Sequence, residues 1–282
     1  MKVTQKELED KILNNDKIGE KFALQWYFDK FMLNNNLDAV IWTKGETRDA
    51  DRQARYLLRC VEAAMKQDLK VGDQPAVEWA QNLEGLERAV GTNYFIQHAI
   101  KDNLKVDGVA AADWAVTEGK MLKNDVIKFA VENDCKVGEV SAVQWAVAKN
   151  YKIDNGTALE YAIDHNIKIG GEEPVKGAIK NNIFVDKKPV IQWAFEKGKI
   201  EKKEAIEYAI RNDCKIGDKP ALQWAIDNEP LKGKKEAYAQ FAVQNGCAVG
   251  GEGALKWLKD NNVSLGKFTG NVKQAQGELL QK

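Results

Sequence analysis

The sequence is poor in the residue types from which catalytic and metal sites are usually built. Its 282 residues include only two histidines, His98 and His165, and four cysteines. No spacing of cysteine and histidine fits a zinc site, no Ser-His-Asp set can be assembled, and no phosphate-binding or dinucleotide fingerprint occurs. The sequence therefore predicts no catalytic residue, no metal ligand and no cofactor, and we expect the protein not to be an enzyme.

An excess of charge of either sign is also missing. Lys plus Arg equals Asp plus Glu, 42 against 42. Nucleic-acid-binding proteins usually carry a basic excess that neutralises phosphates, so the composition argues against a nucleic-acid partner. No apolar run approaches the length of about 18 residues that spans a bilayer, and the N-terminus lacks the apolar core of a signal peptide. We expect no membrane segment, no secretion, and a location in the cytoplasm or in an intracellular or viral assembly.

What the sequence does contain is one short motif that recurs from end to end. All eight tryptophans lie at its last position, in seven Ala-x-x-Trp segments and one Val-x-x-Trp segment. They are Trp26, Trp42, Trp79, Trp114, Trp145, Trp193, Trp224 and Trp257. Seven further residues keep the same register, and the combined series advances by 15 to 17 residues in all but two steps: Ala63, His98, Phe129, Tyr161, Gly177, Tyr208 and Phe241. A fixed period of this length is typical of repeat architectures.

The pattern within each unit predicts a helix. Apolar residues cover one wide arc around the Trp, whereas the residues directly before it and three after it are usually polar. Asp73, Asp186 and Asp218 are predicted as N-caps. Helices of about ten residues are too short to be stable alone, so they must stack. The predicted fold is all-α: a solenoid of about fifteen short helices, with 16-residue units and about 31–33 residues per helical hairpin.

The domain prediction is a single array over residues 1–266, followed by a polar C-terminal tail, 267–282. From Trp42 to Trp145 the tryptophans occupy every second unit, and from Trp193 they do so again with the opposite parity. The aromatic residue is lost at Gly177, shortly after Gly170 and Gly171. These glycines mark a predicted seam or change of curvature at 165–190. A register slip without a bend is the alternative.

Two sets of side chains leave their role open. The tryptophans lie within the apolar arc, which favours a packed core, but an exposed aromatic ladder would instead form a groove for a peptide or a single-stranded nucleic acid. Gln25, Gln144, Gln192 and Gln223 each precede a Trp on the polar arc. They form either a ladder along one surface or hydrogen bonds to loop backbone in the next unit.

The cysteines read as packing residues. Cys135, Cys214 and Cys247 each lie six residues after a register position, where other units carry apolar residues such as Leu69 and Leu104. Free cysteine behaves as a small hydrophobe in such a slot. We expect four reduced thiols.

Pairs of units resemble the helix–turn–helix part of an ankyrin repeat. The segments Ala194–Cys214 and Val116–Cys135 carry this resemblance. The Thr-Pro-Leu-His signature of that family is missing, and the loops are predicted to be too short to hold the ankyrin β-finger. The resemblance implies protein binding on a concave surface, and no individual residue is carried over.

Together these observations predict a non-enzymatic helical-repeat protein that binds another protein, assembles with itself, or serves as a structural scaffold in a larger assembly. One alternative is a small-molecule-binding protein or enzyme with a site in the solenoid groove near 165–190. The other is a nucleic-acid-binding solenoid with a local basic stripe.

Overall fold

The computed structural model of this protein describes residues 3–34, 40–41, 50–82, 91 and 93–266. Its contacts divide the chain into two units, Met1–Ala142 and Val143–Lys282, which are described in turn. The predicted tail and Trp42 lie outside the described residues. Among the helices of the described ranges, none has the length and apolar character needed to cross a membrane.

The described residues form fifteen helices. Those of the first unit are α1 (Gln5–Leu13), α2 (Ala23–Asn34), α3 (Ala50–Lys66), α4 (Ala76–Gln81), α5 (Tyr94–Lys101), α6 (Ala111–Thr117) and α7 (Lys123–Glu132). Those of the second unit are α8 (Ala142–Ala148, which starts on the last residue of the first unit), α9 (Ala158–Asp164), α10 (Pro174–Lys180), α11 (Val190–Glu196), α12 (Lys202–Arg211), α13 (Ala221–Asn228), α14 (Lys232–Gln244) and α15 (Ala254–Asp260).

Short β-strands precede most of these helices. β1 (Val3–Thr4) pairs in parallel with β4 (Val40–Ile41). The other strands of the described chain form eight antiparallel hairpins with two-residue turns: β2–β3 (Lys17–Ile18, Lys21–Phe22), β5–β6 (Lys70–Val71, Gln74–Pro75), β7–β8 (Lys105–Val106, Val109–Ala110), β9–β10 (Lys136–Val137, Val140–Ser141), β11–β12 (Lys152–Ile153, Gly156–Thr157), β13–β14 (Phe184–Val185, Lys188–Pro189), β15–β16 (Lys215–Ile216, Lys219–Pro220) and β17–β18 (Ala248–Val249, Glu252–Gly253). An isolated bridge between Ile169 and Glu172 takes the place of a hairpin before α10.

The helical part of the predicted fold is confirmed, and the hairpins correct its all-α part, because the described chain also contains two-stranded sheets. The loops predicted to be too short for a β-finger hold these hairpins. In β15–β16 the side chain of Ile216 is 3% exposed while Lys215 is exposed, so alternation is present. It spans too few residues to register as a strand pattern. Gly217 has φ 68°, the left-handed conformation that such a tight turn requires.

The predicted N-caps are also wrong. Asp73, Asp186 and Asp218 lie in hairpin turns, and the residue before the helix is Pro75 or its equivalent. The first helical N–H is satisfied by backbone instead: Ala221 N donates to the Cys214 carbonyl across the base of the hairpin, at 2.9 Å. The same bond is made at six other helix starts of the described chain, including Ala111 to Leu104. A side-chain cap is therefore unnecessary at these positions.

In the first unit, residues that follow helices hold the turn of a hairpin one repeat further along the chain, rather than the hairpin directly after them. Asp68 accepts the N–H groups of Asp107 (2.8 Å) and Gly108 (2.7 Å) with its two carboxylate oxygens. Asn103 instead makes a reciprocal pair with Gly138, accepting its N–H and donating to its carbonyl, both at 2.9 Å. We call these contacts turn clamps.

The second unit contains the same two kinds of turn clamp. Asn182 pairs reciprocally with Gly217, at 2.8 and 2.9 Å. Asp213 accepts from Gly250 (2.7 Å) and Gly251 (2.9 Å). Asn182 and Asp213 themselves have φ of 49° and 47°, a conformation that Asn and Asp tolerate better than other side chains. One residue thus follows the end of a helix and holds the turn of the second hairpin after it.

Neighbouring helices pack against each other within each unit, and the core between them is apolar. We call a helix that contains a tryptophan of the repeat motif a Trp helix. In the first unit, the Trp helices α4 and α6 alternate with α5 and α7, and α5 also packs on α7. In the second unit, α11 and α13 alternate with α10, α12 and α14 in the same way. Small alanines at the contacts, such as Ala115 and Ala194 (both 0% exposed), let the helices approach closely.

The cysteine prediction is confirmed. Cys60, Cys135, Cys214 and Cys247 are all buried and none forms a disulfide. Burial raises the pKa of Cys60 to about 12 and that of Cys135 to about 11. These thiols therefore stay protonated and serve as packing groups.

Gly177 has a packing reason to lack the aromatic residue of its register position. A Cβ atom at this residue would lie 2.3 Å from the carbonyl oxygen and 2.9 Å from the Cβ of Ile169. The backbone before α10 therefore occupies the space that a side chain would need. Whether this region also marks the predicted seam stays a prediction.

Replacing two helical glycines with alanine is predicted to have opposite effects. Gly177→Ala forces the backbone of Ile169 to move, and we expect a loss of about 1–3 kcal/mol in the free energy of unfolding. Gly233→Ala, in α14, has nothing within 4 Å of the new methyl group, so it should gain about 0.5 kcal/mol. Urea denaturation measures both. Equal effects of the two substitutions would contradict the contact with Ile169.

Exchanging the two kinds of turn clamp should destabilise the protein in both directions. Asp213→Asn turns an amide NH₂ toward a backbone N–H, and Asn182→Asp turns a carboxylate toward the Gly217 carbonyl. We expect each to lower the free energy of unfolding by about 1–2 kcal/mol. Asp186→Asn is the control, because Asp186 has φ 50° and is exposed in a hairpin turn; its effect should stay below about 0.5 kcal/mol. If all three variants melt alike, the clamps do not stabilise the fold.

Candidate functional site

A hairpin and the Trp helix that follows it share one exposed face. In the second unit, Lys188 of β14 and Gln192 and Glu196 of α11 meet on this face. The Lys188 ammonium lies 2.9 Å from one oxygen of Glu196, and the Gln192 amide nitrogen donates to the other at 2.8 Å. Residues four apart on a helix lie on one side, which places Gln192 above Glu196. We call this arrangement the Lys–Gln–acid triad.

The triad recurs at equivalent positions. On β16 and α13, Lys219 contacts Asp227 at 2.7 Å and Gln223 donates to Asp227 at 2.6 Å. In the first unit it consists of Lys21, Gln25 and Asp29. At α10 the two charges are exchanged: the acid, Glu172, precedes the helix, and it pairs with Lys180 at the end of the helix at 2.9 Å. The backbone therefore fixes the positions of these side chains but not their charges.

The triads are ionised but add little stability. Hydrogen bonds from Gln192 and Lys188 hold the pKa of Glu196 below its usual value. The Lys219 ammonium does the same for the pKa of Asp227. Because these pairs are largely exposed, water screens most of their attraction. Their regular placement is a property of the surface rather than of the core.

The tryptophans lie mostly inside the protein. Trp26, Trp79, Trp114, Trp145 and Trp193 are 5–8% exposed, and Trp224 and Trp257 are half-buried. These seven described rings therefore form no exposed ladder.

Three of the four glutamines do not make the predicted hydrogen bonds to loop backbone, whereas the other predicted arrangement, a ladder along one surface, stays a prediction. Gln25, Gln192 and Gln223 bond to acids of their own helices rather than to loop backbone, and each lies within a separate triad. Gln144 occupies the same position of α8 and is half-buried. The sequence did not predict the bond from each Gln to an acid four residues later, because that acid is Asp in some repeats and Glu in another.

One glutamine also reaches the neighbouring Trp helix. Gln25 accepts a hydrogen bond from the indole N–H of Trp79 at 2.7 Å. The ring of Phe28 meets the same indole edge to face, with centroids 5.8 Å apart. In the first unit, Gln25 and Phe28 of α2 therefore both contact Trp79 of α4.

The equivalent three residues of the second unit border a cavity instead. Gln192, Phe195 and Trp224 line a space of about 120 Å³, together with Lys202, Asn228 and Glu229. Among the described residues, the indole N–H of Trp224 has no hydrogen-bond acceptor, in contrast to that of Trp79. We call this space the α11–α13 pocket.

Glu229 is the most unusual residue of the pocket. Its side chain is only 3% exposed, and its carboxylate accepts a hydrogen bond from the Lys202 ammonium at 3.1 Å. Burial opposes ionisation, yet Lys202 and the N–H of Leu231 hold the pKa of Glu229 below its usual value. The pocket therefore contains a buried carboxylate that is ionised at neutral pH.

Sequence reasoning missed Glu229, although a signal was present. The Trp helices α6 and α11 are followed by Gly119 and Gly198, with φ of 63° and 65°. Glu229 lies at the same distance after Trp224, and its backbone is extended, with φ −95° and ψ 118°. The signal in the sequence is a charged residue at the position where α6 and α11 are followed by a glycine.

The predicted seam contains turn glycines, and one of its residues borders a depression that lies mainly along α12. Gly170 and Gly171 have φ of 62° and 81° and form the turn between Ile169 and Glu172. Beside α10, Lys176 borders an open depression of about 550 Å³, and its ammonium lies 2.9 Å from Glu173. No described group of three or more His, Cys, Asp or Glu side chains is arranged to hold a metal ion.

The ion pair of Glu229 should make stability depend on pH. A carboxyl whose pKa is depressed by folding stabilises the protein above its unfolded value of about 4.3, and that contribution disappears as the pH falls through the lower folded value. We expect wild type to be more stable than Glu229→Gln at pH 7, and the difference to shrink between about pH 5 and pH 3. Urea denaturation across this range measures it. Lys202→Met should flatten the wild-type profile, and a difference independent of pH would contradict the ion pair.

Comparisons with known proteins leave the site without a named counterpart. No protein-family model matches the chain. No curated protein and no solved structure matches it either. Its function must therefore be argued from its own residues.

Proposed function

We propose that this chain is a non-enzymatic helical-repeat protein, a solenoid of hairpin–helix–turn–helix units, that binds another protein or a further copy of itself. The observation that supports this is the recurrence of the Lys–Gln–acid triad on the hairpin–helix face. Hairpins joined to helices are also the units that the ankyrin resemblance implies. Location in the cytoplasm or in an assembly remains part of the proposal.

The face suits protein binding because its side chains are held in place before any partner arrives. Each Lys is tied to an acid three residues after the Trp, and each Gln is tied to the same acid. Side chains already fixed in this way lose less conformational entropy on association. Paired charges of both signs also favour a partner with complementary charges. A scaffold role in a larger assembly uses the same surface.

Swapping the charges within two triads should abolish binding without unfolding the protein. The variant combines Lys188→Glu with Glu196→Lys and Lys219→Asp with Asp227→Lys. Each ion pair survives with reversed polarity, as the native pair Glu172–Lys180 shows to be compatible with this backbone. We expect the loss of at least about tenfold in affinity for the protein that wild type retains from an extract of its source cells.

The matched control is the same kind of swap on α12. Lys203→Glu with Glu207→Lys reverses an exposed pair of 3.7 Å outside the triads, and it should retain the partner. Sedimentation of all three proteins tests self-assembly in parallel. A wild type that remains monomeric and retains no protein, or a control that loses binding as completely as the triad variant, would contradict the proposal.

A further inference from the structure

The α11–α13 pocket has hydrogen-bonding capacity that the fold does not use. The Gln192 amide commits its nitrogen to Glu196, and the Asn228 amide commits its nitrogen to the Trp224 carbonyl at 2.8 Å. Among the described residues, neither amide oxygen has a donor. With the carboxylate of Glu229, the pocket therefore offers three acceptor groups. Such a set recognises a ligand rich in N–H donors.

The walls of the pocket point to the same chemistry. Phe195 and Trp224 both line it, and the faces of aromatic rings attract cations. Lys202 already demonstrates this preference, because its ammonium lies 5.8 Å from the centre of the Phe195 ring and bonds to Glu229. Lys202 belongs to the rim, since its side chain is 41% exposed. The space beside it is about 120 Å³, and cavities of about 150 Å³ hold benzene, which is larger than a guanidinium.

The contacts of Trp79 in the first unit differ from those of Trp224 beside the pocket. In the first unit, the indole N–H of Trp79 donates a hydrogen bond to Gln25, and the ring of Phe28 packs on the indole. In the second unit, the equivalent Trp is half-buried and its partner Gln is left with a free oxygen. The Trp of one site is thus bonded and packed, whereas that of the other borders a cavity beside a buried carboxylate.

From this geometry we infer that the α11–α13 pocket binds the guanidinium end of an arginine side chain of the protein partner. The inference rests on the proposed function for the identity of the partner, and it names the feature that the partner must present. Glu229 and the amide oxygens of Gln192 and Asn228 receive the N–H groups of that side chain. The rings of Phe195 and Trp224 cover its faces, and the Lys202 ammonium moves out toward solvent.

The experiment is a titration of the ¹⁵N-labelled full chain with N-acetyl-arginine amide, followed through the tryptophan indole N–H signals. Trp224→Phe identifies the signal of Trp224. We expect that signal to shift with a saturable curve while the signal of Trp79, whose N–H is bonded to Gln25, stays in place. Acetate and N-acetyl-norleucine amide, added separately, should leave the Trp224 signal unmoved.

Three variants assign the binding to the pocket. Glu229→Gln should weaken the arginine amide by about tenfold, and Lys202→Met should strengthen it by about threefold because the internal competitor is gone. Phe195→Leu should weaken binding by about threefold without changing the charge of the pocket. If Glu229→Gln fails to fold, as circular dichroism would show, the Lys202 and Phe195 variants still decide the matter.

The inference is wrong if the arginine amide gives no saturable shift, if norleucine amide shifts Trp224 equally, or if acetate binds in its place. The titration needs no partner protein, so its result is separate from the charge-swap experiment. Binding of the arginine amide with no partner retained would leave the pocket standing and overturn the proposed function. A partner that is retained while the arginine amide fails would overturn only the pocket.

Discussion

The turn clamps fix the spacing on which the rest of the structure depends. Trp helices of six to eight residues are too short to be stable alone. Each begins where a hairpin places it, through the bond from its first N–H to the carbonyl before the hairpin. Four of the described hairpins are in turn held by an Asn or Asp from an earlier element, such as Asn182 or Asp213. These hydrogen bonds therefore hold each clamped hairpin, and the helix that follows it, in place relative to the preceding repeat.

Because the backbone is fixed in this way, the exposed face can change its charges without a change of fold. Lys188 with Glu196 and Glu172 with Lys180 occupy equivalent positions with opposite polarity. The apolar side has no such freedom, since a single Cβ at Gly177 would collide with Ile169. The charges of the exposed face therefore vary between equivalent positions, whereas packing restricts the interior at Gly177.

The α11–α13 pocket arises from a local departure from this pattern. Where α6 and α11 are followed by a left-handed glycine and α8 and α15 by the left-handed residues Asn150 and Asn262, α13 is followed by Glu229, whose carboxylate bonds to Lys202. A buried ion pair costs desolvation and is weak evidence for stability, so its presence calls for another explanation. Recognition of a basic side chain by the same carboxylate supplies one. Residues that break a repeated pattern are the first to consider when a site is sought.

The sequence by itself determined the helical segments, the apolar slots and the reduced thiols, because a 3.6-residue periodicity and a recurrent apolar position are local properties. The hairpins escaped it, since two-residue strands carry too little alternation to be recognised. Only the tertiary structure decided that Asp218 belongs to a turn, that Gln192 bonds within its own helix, and that Glu229 is buried. Each of these depends on residues brought together by folding, as with Lys202 and Glu229, which are 27 positions apart in the chain.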